Sequence, residues 1–547
     1  MPSRLSYESG PSASPLLGET IGDNLRRTVE RYLDREALVD APSGRRWTYG
    51  ELWSDVERLA AALIGTGIET GDRVGIWSTN CAEWVLVQYA TALCGAILVN
   101  VNPSYRSHEL EYALNQSGVR LIVSAPPSER SDYPAMVESV WDRCPSLERL
   151  VVIGQPSWDE LRAAAAGVGE EDTARRAASL DPDDPINIQY TSGTTGYPKG
   201  ATLSHHNILN NGYFVGELLG YDEQDRVCLP VPFYHCFGMV MGNLGSTSHG
   251  SCIVIPAPSF DPGATLATVE AERCTSLYGV PTMFIAELSH PALADTDLSS
   301  LRTGIMAGSP CPVEVMKRVI AEMNMDEVAI CYGMTETSPV STQTRADDDL
   351  GRRTSTVGRV MPHLEVKVCD PENGKVVERG QPGELCTRGY SVMLGYWDNP
   401  EATDQAVDRA GWMHTGDLAV MREDGYVNIV GRMKDMVIRG GENIYPREIE
   451  EFLYSHPDVV DVQVVGVPDA KYGEELCAWV VLRDGAEPLT AEAVREFCAG
   501  RLAHYKVPRY VHLVDAFPMT VTGKVRKVEM RERSTEIFSL EDAAPTA

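Results

Sequence analysis

Apolar residues recur at helical spacing in "SDVERLAAALIGTG", a run that stops at glycine, and then close up into the short continuous run "DRVGIWS". The first stretch predicts an amphipathic helix and the second a buried strand. "SGVRLIVSA" and "LERLVVIG" are further short buried strands, each after a helical segment. Strands alternating with helices predict a mostly parallel sheet with helices on its faces. The longest apolar run, "WVLVQYATALCGAILVNVNP", is interrupted by Gln88 and Gly95. It reads as a buried helix ending near Gly95 followed by a Val-rich strand, not as a membrane span. The Glu/Ala-rich "AAGVGEEDTARRAASLDPDDP" reads as a surface connection. The N-terminal stretch, which has no apolar signal-peptide core, reads as a flexible lead-in.

The alternation resumes from Ile186 to about Met325 ("SCIVIPA", "CTSLYGVP", "LRTGIMAG"). From about Thr356 to Tyr396 the pattern is short strands and turns ("LEVKVCD", "GELCTRG"), which predicts a small β-barrel or β-subdomain. After Gly431 the composition shifts. "PREIEEFLYSHP" opens with Pro446 in a first helical turn, and Ile449, Phe452, Leu453 and His456 share one face. With the strands "VVDVQVVGVP" and "CAWVVLR" and the helix "AEAVREFCAGRLAHY", this forms an α+β unit. The boundary is placed near Arg432–Asp435, giving domains 1–431 and 432–547, with the last dozen residues as a disordered tail.

Charge and cysteine usage narrow the partners. The chain has 48 Lys+Arg against 78 Asp+Glu, a net charge of −30 over 547 residues. Such a surface repels nucleic acid and anionic membrane, so a basic residue at a phosphate site must act locally. The 13 cysteines, odd in number and without a CxxC pair, read as free thiols in a reducing, cytoplasmic setting. A homodimer is compatible with the sequence.

One stretch carries concentrated chemistry: "YTSGTTGYPKG", Tyr190 to Gly200, after the strand "INIQY". Its glycines, Gly193 and Gly196 among them, let backbone N–H groups turn toward an anion. Thr191, Ser192, Thr194 and Thr195 add hydroxyls, and Lys199 adds a charge that can reach a phosphate oxygen. The kinase-type pattern G-x-x-x-x-G-K-[ST] does not fit, because Gly200 stands where the magnesium-binding Ser/Thr would be. "GATLSHHN" reads as a second strand before a helix capped near Ser204, so the loop sits inside a hairpin.

This stretch resembles the signature of the adenylate-forming superfamily, and among its members the chain is closest to the medium-chain fatty acyl-CoA synthetases. Further stretches agree, and the likeness runs from about residue 20 to about 530. The resemblance implies an α/β fold: a large N-terminal domain of two β/α lobes plus a small β-barrel, then a mobile α+β C-terminal domain. It also implies roles. In "YGMTETSP", Tyr332 would stack on adenine beside Gly333, Thr335 would contact the α-phosphate, and Glu336 would ligate Mg²⁺, which prefers hard oxygen ligands. Gly308 and Ser309 of "AGSP" would line the adenine and acyl pocket. Asp417 of "GWMHTGD" would take the two ribose hydroxyls with Arg432 as companion; a carboxylate suits that task. His235 in "VPFYHCFGM" would lie beside the reacting carboxylate and gate access. Lys434 falls at the hinge, Gly440 and Gly441 would line the CoA tunnel, and Lys524 of "PMTVTGKVRK" would bridge the acid and the α-phosphate.

The expected reaction follows. A carboxylate is a poor electrophile, so attack on the α-phosphate of ATP makes an acyl adenylate and releases pyrophosphate. The thiol of coenzyme A then displaces AMP. Catalysis is positioning and charge neutralisation. The alternative is an adenylating enzyme that hands the acyl group to an amine or a carrier protein. Glycines at 238, 242 and 245 suggest a roomy acyl pocket.

Overall fold

Two large sheets carry the alternating pattern. The computed structural model describes residues 4–128, 131–191, 198–309, 311–440, 442–519 and 525–540. A seven-stranded sheet runs in the order Gly395–Tyr396, Lys199–Ser204, Pro185–Thr191, Ile97–Asn100, Arg73–Trp77, Val119–Ser124, Arg149–Val152. A nine-stranded sheet has Arg226–Cys228, Ser276–Gly279, Thr303–Ala307 and Glu327–Gly333 as parallel neighbours, with antiparallel strands at both edges. The five strands of the small β unit, Tyr7–Ser9, Leu364–Cys369, Pro382–Gly389, Met413–Met421 and Val427–Arg432, are all antiparallel. The last unit pairs Val459–Asp469 with Gly473–Leu482 and adds Tyr510–Leu513 in parallel.

Local chemistry accounts for the element ends. Thr48 and Glu51 form a reciprocal cap on the helix Tyr49–Gly65. The helix Ala82–Cys94 ends at Gly95, whose φ of 76° is the left-handed turn glycine tolerates, and the strand Ile97–Asn100 follows. That helix is buried on nearly every side between the sheets, which is why its apolar run shows no clean stripe. Among the described residues no helix is long and apolar enough to cross a membrane.

Three expectations change. The acidic stretch taken as a plain connection contains the helix Glu170–Ala178, with Glu170, Glu171 and Asp172 in its first turn and Arg175 and Arg176 in its last. That distribution suits the helix dipole. The N-terminal lead-in supplies the edge strand Tyr7–Ser9, whose Tyr7 hydroxyl bonds to Glu365 on the neighbouring strand. At the other end, the helix Lys527–Ile537 reaches into the stretch expected to be a tail; residues 541–547 lie outside the described residues. All 13 cysteines are free.

Candidate active site

The hairpin read from the sequence is present. Pro185–Thr191 and Lys199–Ser204 pair antiparallel with Thr191 opposite Lys199, and the Ser204 side chain caps the following helix through Asn207 N–H. Ser192, Gly193, Thr194, Thr195 and Gly196 lie outside the described residues, but both flanks of their loop are fixed. Thr191 Oγ1 donates to Glu336 Oε1 at 3.3 Å. Glu336 sits in the 3-10 turn Thr335–Thr337, just past the end of Glu327–Gly333, and is 5 % exposed. Thr335 is buried beside it. Gly333 is obligatory there, because a Cβ would lie 1.7 Å from the Pro339 carbonyl oxygen.

Tyr396, which the sequence reading did not single out, joins this group. Its hydroxyl donates to Glu336 Oε1 at 2.8 Å, and Lys199 Nζ lies 5.1 Å from the centre of its ring. The short strand Gly395–Tyr396 pairs with Lys199–Ser204, so sheet register brings the tyrosine to the loop. Among the described residues Glu336 accepts only from neutral hydroxyls and meets no cation. A buried carboxylate without a counter-charge is costly. That deficit is what a divalent cation with oxygen preference would supply, so the donor set fits Mg²⁺.

A second cluster forms around Asp417 on Met413–Met421. Arg432 is its register partner, with Nε 3.3 Å from Asp417 Oδ1, and Tyr332 Oη donates to Asp417 Oδ2 at 2.7 Å. Burial, then the adjacent carboxylate, pushes the Tyr332 phenol well above its ordinary range, so it stays a donor. Asp417 N–H is held by Thr415 Oγ1, and Gly416 N–H by Glu384 Oε1 at 3.1 Å. The other Glu384 oxygen contacts His414 Nδ1 at 2.8 Å. Glu384, Cys386 and His414 bring ligand atoms within 4.8 Å of one another. The Glu384 carboxylate is already engaged on both oxygens, so we read the cluster as the scaffold of the Asp417 turn.

Gly308 and Ser309 follow Thr303–Ala307, the parallel neighbour of Glu327–Gly333. Both stretches thus open at carboxyl ends of parallel strands, where α/β sheets place ligands. Gly308 has φ +89°, a conformation glycine adopts freely.

His235 occupies the turn before the π-helix Phe237–Leu244, with its Nδ1 3.4 Å from Phe237 N. Buried amides clamp its neighbours: Asn100 Nδ2 donates to the Tyr234 carbonyl at 2.9 Å, and Gln189 Oε1 accepts from Cys236 N at 3.1 Å. The glycines of this helix do not open a pocket. A Cβ on Gly238 would meet the Pro232 carbonyl at 2.4 Å, on Gly242 the Leu229 side chain at 2.7 Å, and on Gly245 the Gly212 carbonyl at 3.2 Å. Their role is close packing, so they carry no evidence for the roomy acyl pocket they suggested in the sequence.

In the last unit, Lys434 lies in the 3-10 turn Met433–Asp435, and its carbonyl accepts from Arg531 at 3.3 Å. Partial desolvation and then the Arg432 charge draw the Lys434 ammonium below the ordinary lysine range. Gly440 has φ +61° and donates its N–H to Tyr472 O at 2.8 Å. Gly441 and Lys524 lie outside the described residues. The helix Pro446–Leu453 touches the segment after Ser309 through Arg447 Nη2 to Cys311 O and Glu451 Oε2 to Val313 N, each 3.4 Å.

This sheet architecture and paired site define an adenylate-forming enzyme. The chain belongs to the AMP-binding enzyme family: residues 25–397 match that family, and residues 448–524 match the AMP-binding enzyme C-terminal domain. It is similar to YngI of Bacillus subtilis (strain 168), an acyl-CoA synthetase by provisional name, at 50 % identity over 96 % of this chain and 99 % of that protein. It is 45 % identical to "Medium-chain acyl-CoA ligase ACSF2, mitochondrial" of Danio rerio, over 98 % of this chain and 91 % of that protein. Among solved structures, ATP-bound MatB from Rhodopseudomonas palustris superposes with a TM-score of 0.84 at 32 % identity, covering 95 % of this chain and all of that one (100 %).

Proposed function

We propose that this chain is an AMP-forming acid–CoA ligase acting on a fatty or related carboxylic acid. The observation that carries it is the division of the site. Thr191, Lys199 and Glu336 form a phosphate-side group with an uncompensated buried carboxylate, and Tyr332, Asp417 and Arg432 form a ribose-side group. One nucleotide spans the two. Lys199 and the loop N–H groups hold the β- and γ-phosphates, which leave as pyrophosphate when the acid's carboxylate attacks the α-phosphate. Thr335 stands at the α-phosphate, and Lys524 neutralises the charge that builds there. Glu336 would hold Mg²⁺, which when bound would supply charge neutralisation on the phosphates. His235 orients the acid, and Gly308–Ser309 border adenine and acyl group. In the second step the CoA thiol attacks the acyl carbonyl and AMP leaves. Rotation of residues 432–547 about Lys434 removes Lys524 and brings Gly440 and Gly441 to the pantetheine arm.

The ACSF2 name and the sequence likeness both support a medium-chain acid. The free thiols support a reducing compartment, and we assign the cytoplasm. The test is pyrophosphate release over a series of acids of varied length, with and without CoA. The expected result is acid-dependent release that yields acyl-CoA and AMP when CoA is present. Acyl adenylate that accumulates unchanged in the presence of CoA would instead assign an amine or carrier-protein acceptor.

A further inference from the structure

Lys199 and Glu336 carry opposite charges and both contact Tyr396, yet neither forms an ion pair among the described residues. The Tyr396 ring face receives the Lys199 ammonium, with Nζ 5.1 Å from the centroid, an attraction of the cation–π kind. Its hydroxyl donates to Glu336 Oε1 at 2.8 Å, with Thr191 adding a second neutral donor at 3.3 Å. One residue therefore stabilises both charges without letting them neutralise each other.

We propose that Tyr396 is a positioning residue, a spacer that keeps Lys199 and Glu336 from pairing so that both charges stay available to a magnesium nucleotide. The inference rests on the adenylating reading given above. A lysine and a carboxylate meeting in a partly desolvated site form a strong pair, and breaking it would be subtracted from the binding of any ligand that needs both groups. The overall charge of −30 sharpens the point: phosphates approach a repelling surface, and a neutralised Lys199 could not offset it. The backbone is fixed. Tyr396 pairs with Ala201 two residues beyond Lys199, its N–H donates to Thr403 Oγ1 at 2.9 Å, and the Trp397 N–H donates to the Gly200 carbonyl at 2.7 Å.

Two measurements on the full chain test this. The first uses nucleotide-free protein and reads the acetylation rate of Lys199 by mass spectrometry. Tyr396→Ala should label at least about threefold more slowly than Tyr396→Ala/Glu336→Gln, because only the single variant can form the ion pair. Equal rates would overturn the proposal, whatever the nucleotide does. The second is calorimetric binding of the magnesium complex of an ATP analogue with a non-cleavable α–β bridge. Tyr396→Phe, which keeps the ring, should bind within about threefold of the parent, and Tyr396→Ala about tenfold or more weakly. Equal weakening in both variants assigns the effect to the hydroxyl and overturns the spacer. A parent chain that does not bind the analogue overturns the nucleotide reading, and the labelling rates still judge the spacer.

Discussion

Glu287 is a buried acid with no compensation in sight. It lies on the helix Pro281–Leu288, 1 % exposed, and among the described residues neither carboxyl oxygen has a hydrogen-bond partner. Phe284 and Leu288 of the same helix belong to the surrounding apolar cluster. Burial alone raises its pKa well above the ordinary value of 4.5. The folded state therefore holds a proton that the unfolded chain releases. The sign follows from linkage: for an acid with a raised folded pKa, stability is highest below the unfolded pKa and falls as pH rises above it. Each pH unit between 4.5 and the raised folded-state pKa costs about 1.36 kcal/mol. Glu287→Met keeps the chain length of the side chain and removes the ionisable group. The variant should unfold at a higher temperature than the parent at pH 7 to 8, by about 1 °C for each kcal/mol of that cost in a chain of this size. The advantage should shrink as pH falls through 4.5 and level off about one pH unit below it, where the unfolded-state carboxyl also keeps its proton. Thermal unfolding of both proteins across that range is the assay. Parallel pH profiles, or a variant less stable than the parent at pH 8, would refute the claim that this carboxyl is unsatisfied.

Two further outcomes address the chemistry. Asp417→Ala removes the acceptor proposed for two ribose hydroxyls; at about 1.5 kcal/mol or more for each bond to a charged group, nucleotide binding should weaken about 100-fold, read by calorimetry. The KM for the acid should move far less, and an equal loss for acid and nucleotide would place Asp417 elsewhere. Lys524→Ala should abolish acid-dependent pyrophosphate release while leaving thioester formation from supplied acyl adenylate largely intact; equal loss of both half-reactions would remove Lys524 from its assigned role.

Much of the frame was legible because its determinants are local. The hairpin could be read from a strand that resumes after Gly200 and from the Ser204 cap, both within a few residues of the loop. The stop at Gly95 needed only a glycine at the end of an apolar run. The misses have physical reasons. The edge strand Tyr7–Ser9 finds its partner at Glu365–Lys367, a pairing no local pattern encodes. The helix Glu170–Ala178 did announce itself through acids in its first turn and arginines in its last, but its polar composition hid that order. Glycines 238, 242 and 245 carry information about close approach, and a bare sequence does not say whether the space beside a glycine is empty or filled by backbone. Tyr396 was invisible for a related reason: its importance comes from sheet register beside Lys199, and nothing in "LGYWDNP" points to a charge.

The two halves of the site handle charge in opposite ways, and the difference follows from what each would bind. Ribose offers neutral hydroxyls, so Asp417 can wait in the company of Arg432 and the Tyr332 hydroxyl; binding exchanges one set of donors for another at small net cost. Arg432 is 54 % exposed, so its pairing contributes little that would have to be undone. Phosphate and its cation bring full charges, and they gain most from groups not already neutralised. Thr191 and Tyr396 hold Glu336 with neutral donors, and Lys199 rests on a ring face instead of a carboxylate. In a chain of net charge −30, an ammonium kept out of ion pairs is a charge that would remain available to an anionic nucleotide. The site thus spends its neutral hydroxyls where charge must be preserved, and its ion pair where the ligand brings none.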